Sequence, residues 1–521
     1  MSFARVYSAQ VSFLKGQIVT VEVDLSRGLH SFSIVGLPDK AVGESKDRIS
    51  GAIKNSGFVS PKSKNQKIVI SLSPAGFKKE GPFFDLAMAL AYLLASGDIK
   101  FNPENKLFLG ELGLDGVLRG IRGTLLLLEE AKKFGFEEIY LPVENETESY
   151  LVKGIKIFPV KNLKEVVAYV SGLKNKPNVL NDLQNEKEKN KDEEIFKPKI
   201  RVDDVDFADI KGQENAKRGL EIASAGKHNV SMIGPPGTGK TMLAKAFTGI
   251  LPALLDSEIL EVTGIHSVAG ILHGEIVLFP PFRTPHHTSS YSSLIGGGSY
   301  PKPGEITLAH RGVLFLDEFL EFDKRAIEAL RQPLEENFIS ISRGKGTVIF
   351  PCNFILITAM NPCPCGNLGQ DNFKKCICQA QDIARYKRKL SGPVMDRIDL
   401  WLSVGNIDFN KDNNLDKFKQ ESSEEIKKRI LEAREIQIER FKNSERKIYT
   451  NSEMNAKDIE IYSKLSKEAE DILRKSAEKL GFSMRSYHRV IKVARTIADL
   501  DKSDDIKINH ILEAIQYKGN S

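Results

Sequence analysis

Apolar and polar positions alternate differently along the chain and divide it into blocks. In the first, Ile18-Val19-Thr20-Val21-Glu22-Val23 and Lys67-Ile68-Val69-Ile70-Ser71-Leu72 are strand-like runs rich in β-branched residues. Phe84 to Leu94 is apolar almost throughout and too long for a typical strand, which predicts a buried helix. Thr124 to Phe134 predicts another helix, closed by Gly135 as a C-cap. Residues 1–172 therefore read as an α+β or α/β domain. Residues 173–206 are rich in Asn, Glu, Lys and Asp, hold few apolar residues and have no helical period, which predicts a charged flexible linker. A second alternating α/β block covers 207–408. The remainder, 409–521, is charged and helical in period, with Ile426, Ile430, Ala433, Ile436 and Ile438 illustrating the spacing of a small helical domain.

At 521 residues the chain exceeds one core, and three domains, give or take one, are expected. The net charge of +6 permits a nucleic-acid partner without demanding one. No apolar run is long enough to span a bilayer. Met1-Ser2-Phe3-Ala4-Arg5 lacks the pattern of a signal peptide, so a cytoplasmic protein is expected. All five cysteines fall between Cys352 and Cys378, which suggests a local site rather than a disulfide scaffold.

The densest chemistry lies in the second block. Val230-Ser231-Met232-Ile233 predicts a short strand, Gly234-Pro235-Pro236-Gly237-Thr238-Gly239-Lys240-Thr241 follows at once, and a helix starts at Met242. A strand, a glycine-rich loop and a helix N-terminus together cradle phosphates through backbone N–H groups. Lys240 is placed for the β- and γ-phosphates of ATP and Thr241 for Mg²⁺. Gly312-Val313-Leu314-Phe315-Leu316-Asp317-Glu318 is a strand ending in two carboxylates; Asp317 would hold Mg²⁺ through water and Glu318 would polarise the attacking water. A third strand, Phe354 to Met360, ends in Asn361, which can sense the γ-phosphate or simply form an Asn-Pro turn. Cys363-x-Cys365 and Cys376-x-Cys378 could hold a structural zinc in tetrahedral geometry, or remain reduced, partly buried thiols.

These three strand ends resemble the AAA+ ATPases, in the branch of the magnesium-chelatase ATPase subunit and the MCM helicases. The whole chain resembles the YifB/ComM family of Mg-chelatase-like AAA+ proteins. The phrases that carry the likeness are Val35-Gly36-Leu37-Pro38-Asp39, Phe282-Arg283-Thr284-Pro285-His286-His287-Thr288, Met360-Asn361-Pro362-Cys363-Pro364-Cys365-Gly366, Ser391-Gly392-Pro393-Val394-Met395-Asp396-Arg397-Ile398-Asp399 and Met484-Arg485-Ser486-Tyr487-His488-Arg489. The resemblance implies that Arg397 is an arginine finger reaching a neighbour's γ-phosphate, that Arg485 is the sensor-2 arginine of a helical lid, and that subunits form a ring, most often a hexamer. It implies a Lon-protease-like (ribosomal S5 domain 2-like) fold for residues 1–172. There Phe83 stands where active relatives have the nucleophilic serine, and the stretch Gly120 to Leu127, where the lysine base would fall, has leucines instead. A Ser–Lys dyad needs both groups, so the domain is expected to be proteolytically degenerate.

In the relatives, 256–310 carries the helix-2 insert of the ring pore, and Phe338 to Phe350 the pre-sensor-1 hairpin. Lys345, exposed at the Gly-Lys-Gly tip, and Arg343 beside it are candidate DNA contacts, or the tip is a plain surface turn; His286 and His287 have a structural or a DNA-contacting role. Neighbouring side chains on a strand diverge, so His286 and His287 are not expected to share a metal. Lys374-Lys375 and Arg385-Tyr386-Lys387-Arg388-Lys389 form the densest basic region, which suits nucleic acid or a solvated helix face. The family implies a DNA helicase or branch-migration motor in recombination and natural transformation. The alternatives are a chelatase motor driving metal insertion and, disfavoured by Phe83, an ATP-dependent protease.

Overall fold

The computed structural model describes residues 2–175, 205–272, 275–298, 301–343, 346–369, 375–390, 392–406 and 420–519. Most of the expected linker lies outside these residues. The chain divides into two compact units, Met1–Pro198 with Asp256–Leu278, and Lys199–Leu255 with Phe279–Ser521.

The first unit is built on a mixed seven-stranded sheet. Phe3–Ser12 and Lys15–Arg27 pair antiparallel at its centre, with Val6 opposite Val21 and Ala4 opposite Val23. Gln66–Ser73 and then Ser31–Val35 extend one side. Lys106–Phe108, Glu138–Pro142 and Lys156–Val160 extend the other in parallel. The period of two is visible in the burial: Val19, Val21 and Val23 are fully buried. Phe108, Tyr140 and Phe158 stack across the three parallel strands with centroids 5.1 and 5.0 Å apart. The predicted helix at 84–94 is Asp85–Ala95 and is buried nearly all round. Its one charge, Asp85, is matched: Arg48 Nε lies 2.7 Å away and the Leu112 N–H donates to it. The second predicted helix is Thr124–Lys133, and Gly135 follows it at φ +82°.

The second unit holds a five-stranded parallel sheet. Its order is Phe282–Arg283, Val313–Leu316, Ile355–Met360, Val230–Ile233, Leu400–Ser403. Numbered along the chain this is 2-3-4-1-5. The connections leaving strands 1 and 4 run in opposite directions, so their carboxyl ends open a crevice where such sheets bind ligands. The helices Ser423–Phe441 and Met484–Leu500 pack on Glu214–Gly226 and share the core of that sheet. Ile438 does not lie on the apolar face as its spacing suggested; it is 51% exposed. A helical face carrying Ile426, Ile430 and Ala433 next meets Gln437, which is buried and satisfied by donating to Ala225 O and accepting the Asn451 N–H. Phe338–Arg343 and Gly346–Pro351 form the expected hairpin. Lys345 lies outside the described residues.

The stretch 256–310 departs from a single pore insert. Its helix, Asp256–Ala269, belongs to the first unit and lies against Thr124–Lys133. It carries no strong amphipathic stripe: Ile259, Val262, Ile265 and also Thr263, His266 and Ser267 are buried, as befits a helix enclosed by its surroundings. The Ser267 hydroxyl accepts the Gly123 N–H at 2.9 Å and donates to Glu148 at 2.7 Å. From Phe279 onward the stretch belongs to the second unit, where Arg283 makes a two-pronged pair with Glu305 at 2.7 and 2.8 Å.

Ser267→Ala leaves the Gly123 N–H and the Glu148 carboxyl without their shared partner. The unit should lose about 1–3 kcal/mol, read as a lower urea midpoint for the transition of the first unit. An unchanged midpoint would show that solvent replaces the hydroxyl.

Candidate functional site

The glycine-rich loop leaves Val230–Ile233 at the crevice, and the helix Lys240–Gly249 begins at its end. Gly239 sits at φ +89° with open space around it, a conformation that a side chain would strain. The loop thus turns its backbone into a helix N-terminus, the arrangement that attracts phosphate. Lys240 is buried, and its ammonium donates to Gly234 O at 2.8 Å and Pro235 O at 2.7 Å. Asn361 Oδ1, from the end of Ile355–Met360, is 3.4 Å from the same nitrogen. Burial pushes the Lys240 pKa down, and Asp317 partly restores it.

Asp317 and Glu318 follow Val313–Leu316. The Thr241 hydroxyl donates to Asp317 at 2.9 Å, so the loop and the second strand end meet through these two residues. Glu318 has φ +50°, a rare backbone state for a residue with a side chain. Its carboxylate lies 3.0 Å from His287 Nδ1. The structure therefore gives His287 a place beside Glu318. His286 and His287 occupy a turn rather than a strand. Their rings lie 4.2 Å apart instead of diverging. His286 itself is exposed.

Arg397 and Arg485 meet elsewhere. Arg397 is buried; its guanidinium pairs with Glu335 and donates to Pro393 O. Arg485 reaches the other oxygen of Glu335 at 3.4 Å. This pair holds the Glu335 carboxyl below its ordinary range, Arg397 most strongly. Both arginines line a cleft of about 600 Å³ with Lys227, Arg311 and Arg489, and none of the glycine-loop residues lines it. Thus Lys240, Thr241, Asp317, Glu318 and Asn361 form one cluster, and Arg397 and Arg485 form another around Glu335. No sequence signal marked Glu335 or Asn229. Asn229 fixes the base of the first strand: its N–H meets Asp399 at 3.1 Å, its Nδ2 meets Arg397 O at 3.0 Å, and its Oδ1 accepts the Leu356 N–H at 2.8 Å.

The cysteines of the two C-x-C pairs converge. All four sulfurs lie within 4.8 Å of one another. Cys363, Cys365 and Cys376 are separated by 3.5, 3.7 and 3.6 Å. Tetrahedral thiolates at a metal–sulfur distance of about 2.3 Å would stand about 3.8 Å apart, so the observed spacing fits one metal ion. The N–H groups of Asn367 and Ile377 draw the Cys365 pKa down to about 6, whereas Cys376 and Cys378 are pushed up by burial and by the neighbouring thiols, so Cys365 is the thiol of these three that ionises first. The cluster adjoins the nucleotide loop: a Cβ on Gly366 would come within 2.6 Å of Pro236. The fifth cysteine, Cys352, is buried apart from this group, and burial raises its pKa. Of the DNA candidates, Arg343 lies on the hairpin opposite Gly346.

A glycine loop, two acidic strand-end residues and a polar third strand end around a 2-3-4-1-5 parallel sheet define an AAA+ type ATPase core. Comparison with known proteins agrees. The family model described as magnesium chelatase, subunit ChlI, matches residues 206–412; the model for subunit ChlI of Mg-chelatase matches 21–145; its C-terminal model matches 420–518. The competence protein ComM of Haemophilus influenzae is 39% identical over 99% of this chain and 98% of its own length. The YifB protein of Escherichia coli is 39% identical over 99% of this chain and 97% of its own. A DNA repair protein RadA of Streptococcus pneumoniae is 37% identical over 19% of this chain and 23% of its own. The chain belongs to the YifB/ComM family of Mg-chelatase-like AAA+ proteins. Among the described residues no helix is long and apolar enough to cross a membrane.

Asp399 is half-buried; burial alone would raise its pKa, but His228, Arg489 and Lys492 outweigh burial and hold it below the ordinary value of 3.8. Its stabilisation is present above that value and lost as pH falls through the lower folded one. Asp399→Asn should cost about 1–3 kcal/mol at about pH 6 and the same at about pH 8, read from urea midpoints. A cost that vanishes between those two conditions would contradict the assignment.

Proposed function

We propose that this protein is an ATP-hydrolysing ring motor, in this family most often a hexamer, that moves on DNA as a helicase or branch-migration factor. Separation of the two clusters carries the proposal. Lys240 and Asn361 gather at one strand-end crevice, while Arg397 and Arg485 share Glu335. A second copy of the chain would bring Arg397 and Arg485 to the phosphates held by Lys240. In that role Lys240 binds the β- and γ-phosphates, Asn361 senses the γ-phosphate, and a fixed guanidinium stabilises charge in the transition state. Mg²⁺ fits between Thr241 and Asp317, whose oxygens already converge at 2.9 Å; bound there, the ion would neutralise phosphate charge. Glu318 would orient the attacking water once released from His287.

The helices Ser423–Phe441 to Ile508–Gln516 serve as the lid, bearing Arg485. The sheet of residues 1–172 serves as the degenerate Lon-like domain. Phe83 supports loss of proteolysis: it packs against the cluster containing Ile121, Leu125, Leu127 and Leu128, so apolar contact occupies the place of a dyad. Support for DNA comes from the Haemophilus relative, whose name places it in competence, and from Arg343 at the hairpin. Lys345 and His286 would add contacts to the same phosphate backbone. We also assign a structural zinc to Cys363, Cys365, Cys376 and Cys378, stiffening the loop beside Pro236. A cytoplasmic location suits a DNA motor.

The ATPase rate of the pure protein should rise several-fold with forked, duplex or single-stranded DNA, and Lys240→Ala should abolish it. ATPase that ignores every DNA but responds to a porphyrin and partner subunits would favour a chelatase motor instead. Metal analysis should find about one zinc per chain, reduced by Cys363→Ser with Cys376→Ser. Metal-free protein with an unchanged melting temperature would contradict the zinc assignment.

A further inference from the structure

Arg489 lies in the phrase Met484 to Arg489 but takes no part in the chemistry described so far. It stands one helical turn after Arg485 on Met484–Leu500, so both point to the same side of that helix. Its environment differs. Arg485 has a 45% exposed side chain facing Glu335, whereas the Arg489 side chain is 14% exposed. Arg489 Nη2 donates to Asp396 O at 2.7 Å, and Nη1 donates to Ile398 O. Those carbonyls flank Arg397 on both sides. Its Nε lies 3.8 Å from Asp399. The carbonyl between them, that of Arg397, is taken by Asn229 Nδ2 at 3.0 Å.

Three consecutive carbonyls are thus claimed from two directions, in a connection between the short helix Gly392–Met395 and the strand Leu400–Ser403. Regular secondary structure does not hold these residues. A guanidinium carries five N–H donors in a rigid planar fork and keeps its charge. It can bridge carbonyls two residues apart while facing a carboxylate, which an ammonium on a flexible stem does not reproduce. We infer that Arg489 is the positioning residue of the arginine finger: it fixes the backbone on both sides of Arg397 and ties the direction of that side chain to the helix that carries Arg485. A movement of Met484–Leu500 would then move Arg397 and Arg485 together. This inference rests on the proposed action of Arg397 on a neighbour's nucleotide.

The test uses full-length Arg489→Ala, Arg489→Lys, Arg397→Ala and Lys240→Ala proteins, alone and in equimolar pairs. Arg489→Ala should bind a fluorescent ATP analogue within about twofold of the parent and turn over about tenfold or more slowly. Arg489→Lys, which keeps the charge and loses the fork, should also be slow. Mixing Arg489→Ala with Lys240→Ala should restore turnover, because one interface then joins the intact Lys240 of the first chain to the intact finger of the second. A misfolded variant would restore nothing. Wild-type turnover by Arg489→Ala or by Arg489→Lys would overturn the inference. So would failure of the Arg489→Ala mixture while Arg397→Ala mixed with Lys240→Ala recovers. Failure of that second mixture as well would instead remove the finger in trans, and the inference with it.

Discussion

An arginine cannot shed its charge inside a protein, so a buried guanidinium must be given an anion. Arg397 is 8% exposed, and its Nε has no hydrogen-bond partner among the described residues. Glu335 supplies the anion, and that carboxylate is itself open to solvent on one side and shared with Arg485. One solvent-accessible carboxylate thus serves two arginines at once. A phosphate offers the same planar recognition with more charge. Much of the rest of the second unit can be understood as holding this pair in place relative to a phosphate loop it does not touch.

The parallel sheet does the holding. Its first strand is preceded by Asn229, which binds the backbone of Arg397, and leads into the glycine loop. Its fourth strand ends at Asn361, within reach of Lys240. Immediately beyond, the cysteine cluster abuts Pro236 through Gly366, and the Asn361 N–H reaches the buried Tyr386 hydroxyl. Rigid strands thus connect the two ends at which chemistry is placed. The soft points are polar pairs that can change partner: Lys240 on its own loop carbonyls, Thr241 with Asp317, Glu318 with His287, and Glu335 with its arginines.

What was legible in the sequence followed from strict local constraints. The nucleotide loop and the two acidic residues stand at ends of apolar strands, and strands of that kind have few alternatives. The helix at 85–95 was legible because eleven residues of near-continuous apolar character exceed a typical strand. Tertiary pairings were not legible. Ile438 looked apolar enough for the core, but the helical period selected Gln437, whose amide finds three partners. The contact of His287 with Glu318, far along the sequence, left no local signal. The helix Asp256–Ala269 interrupts the second unit in sequence and packs in the first, which no local pattern announces. The four cysteines were visible as two pairs, yet their convergence depends on how the intervening loop closes.

We propose that the arginines leave Glu335 to complete an ATP site on the next subunit. A structure of the assembled ring with a non-hydrolysable ATP analogue and Mg²⁺ tests it most directly. Arg397 and Arg485 should lie at the γ-phosphate held by Lys240 of the adjacent copy, with Glu335 released. Arg397 still paired with its own Glu335 in a fully loaded ring, or turned to the nucleotide of its own chain, would contradict it.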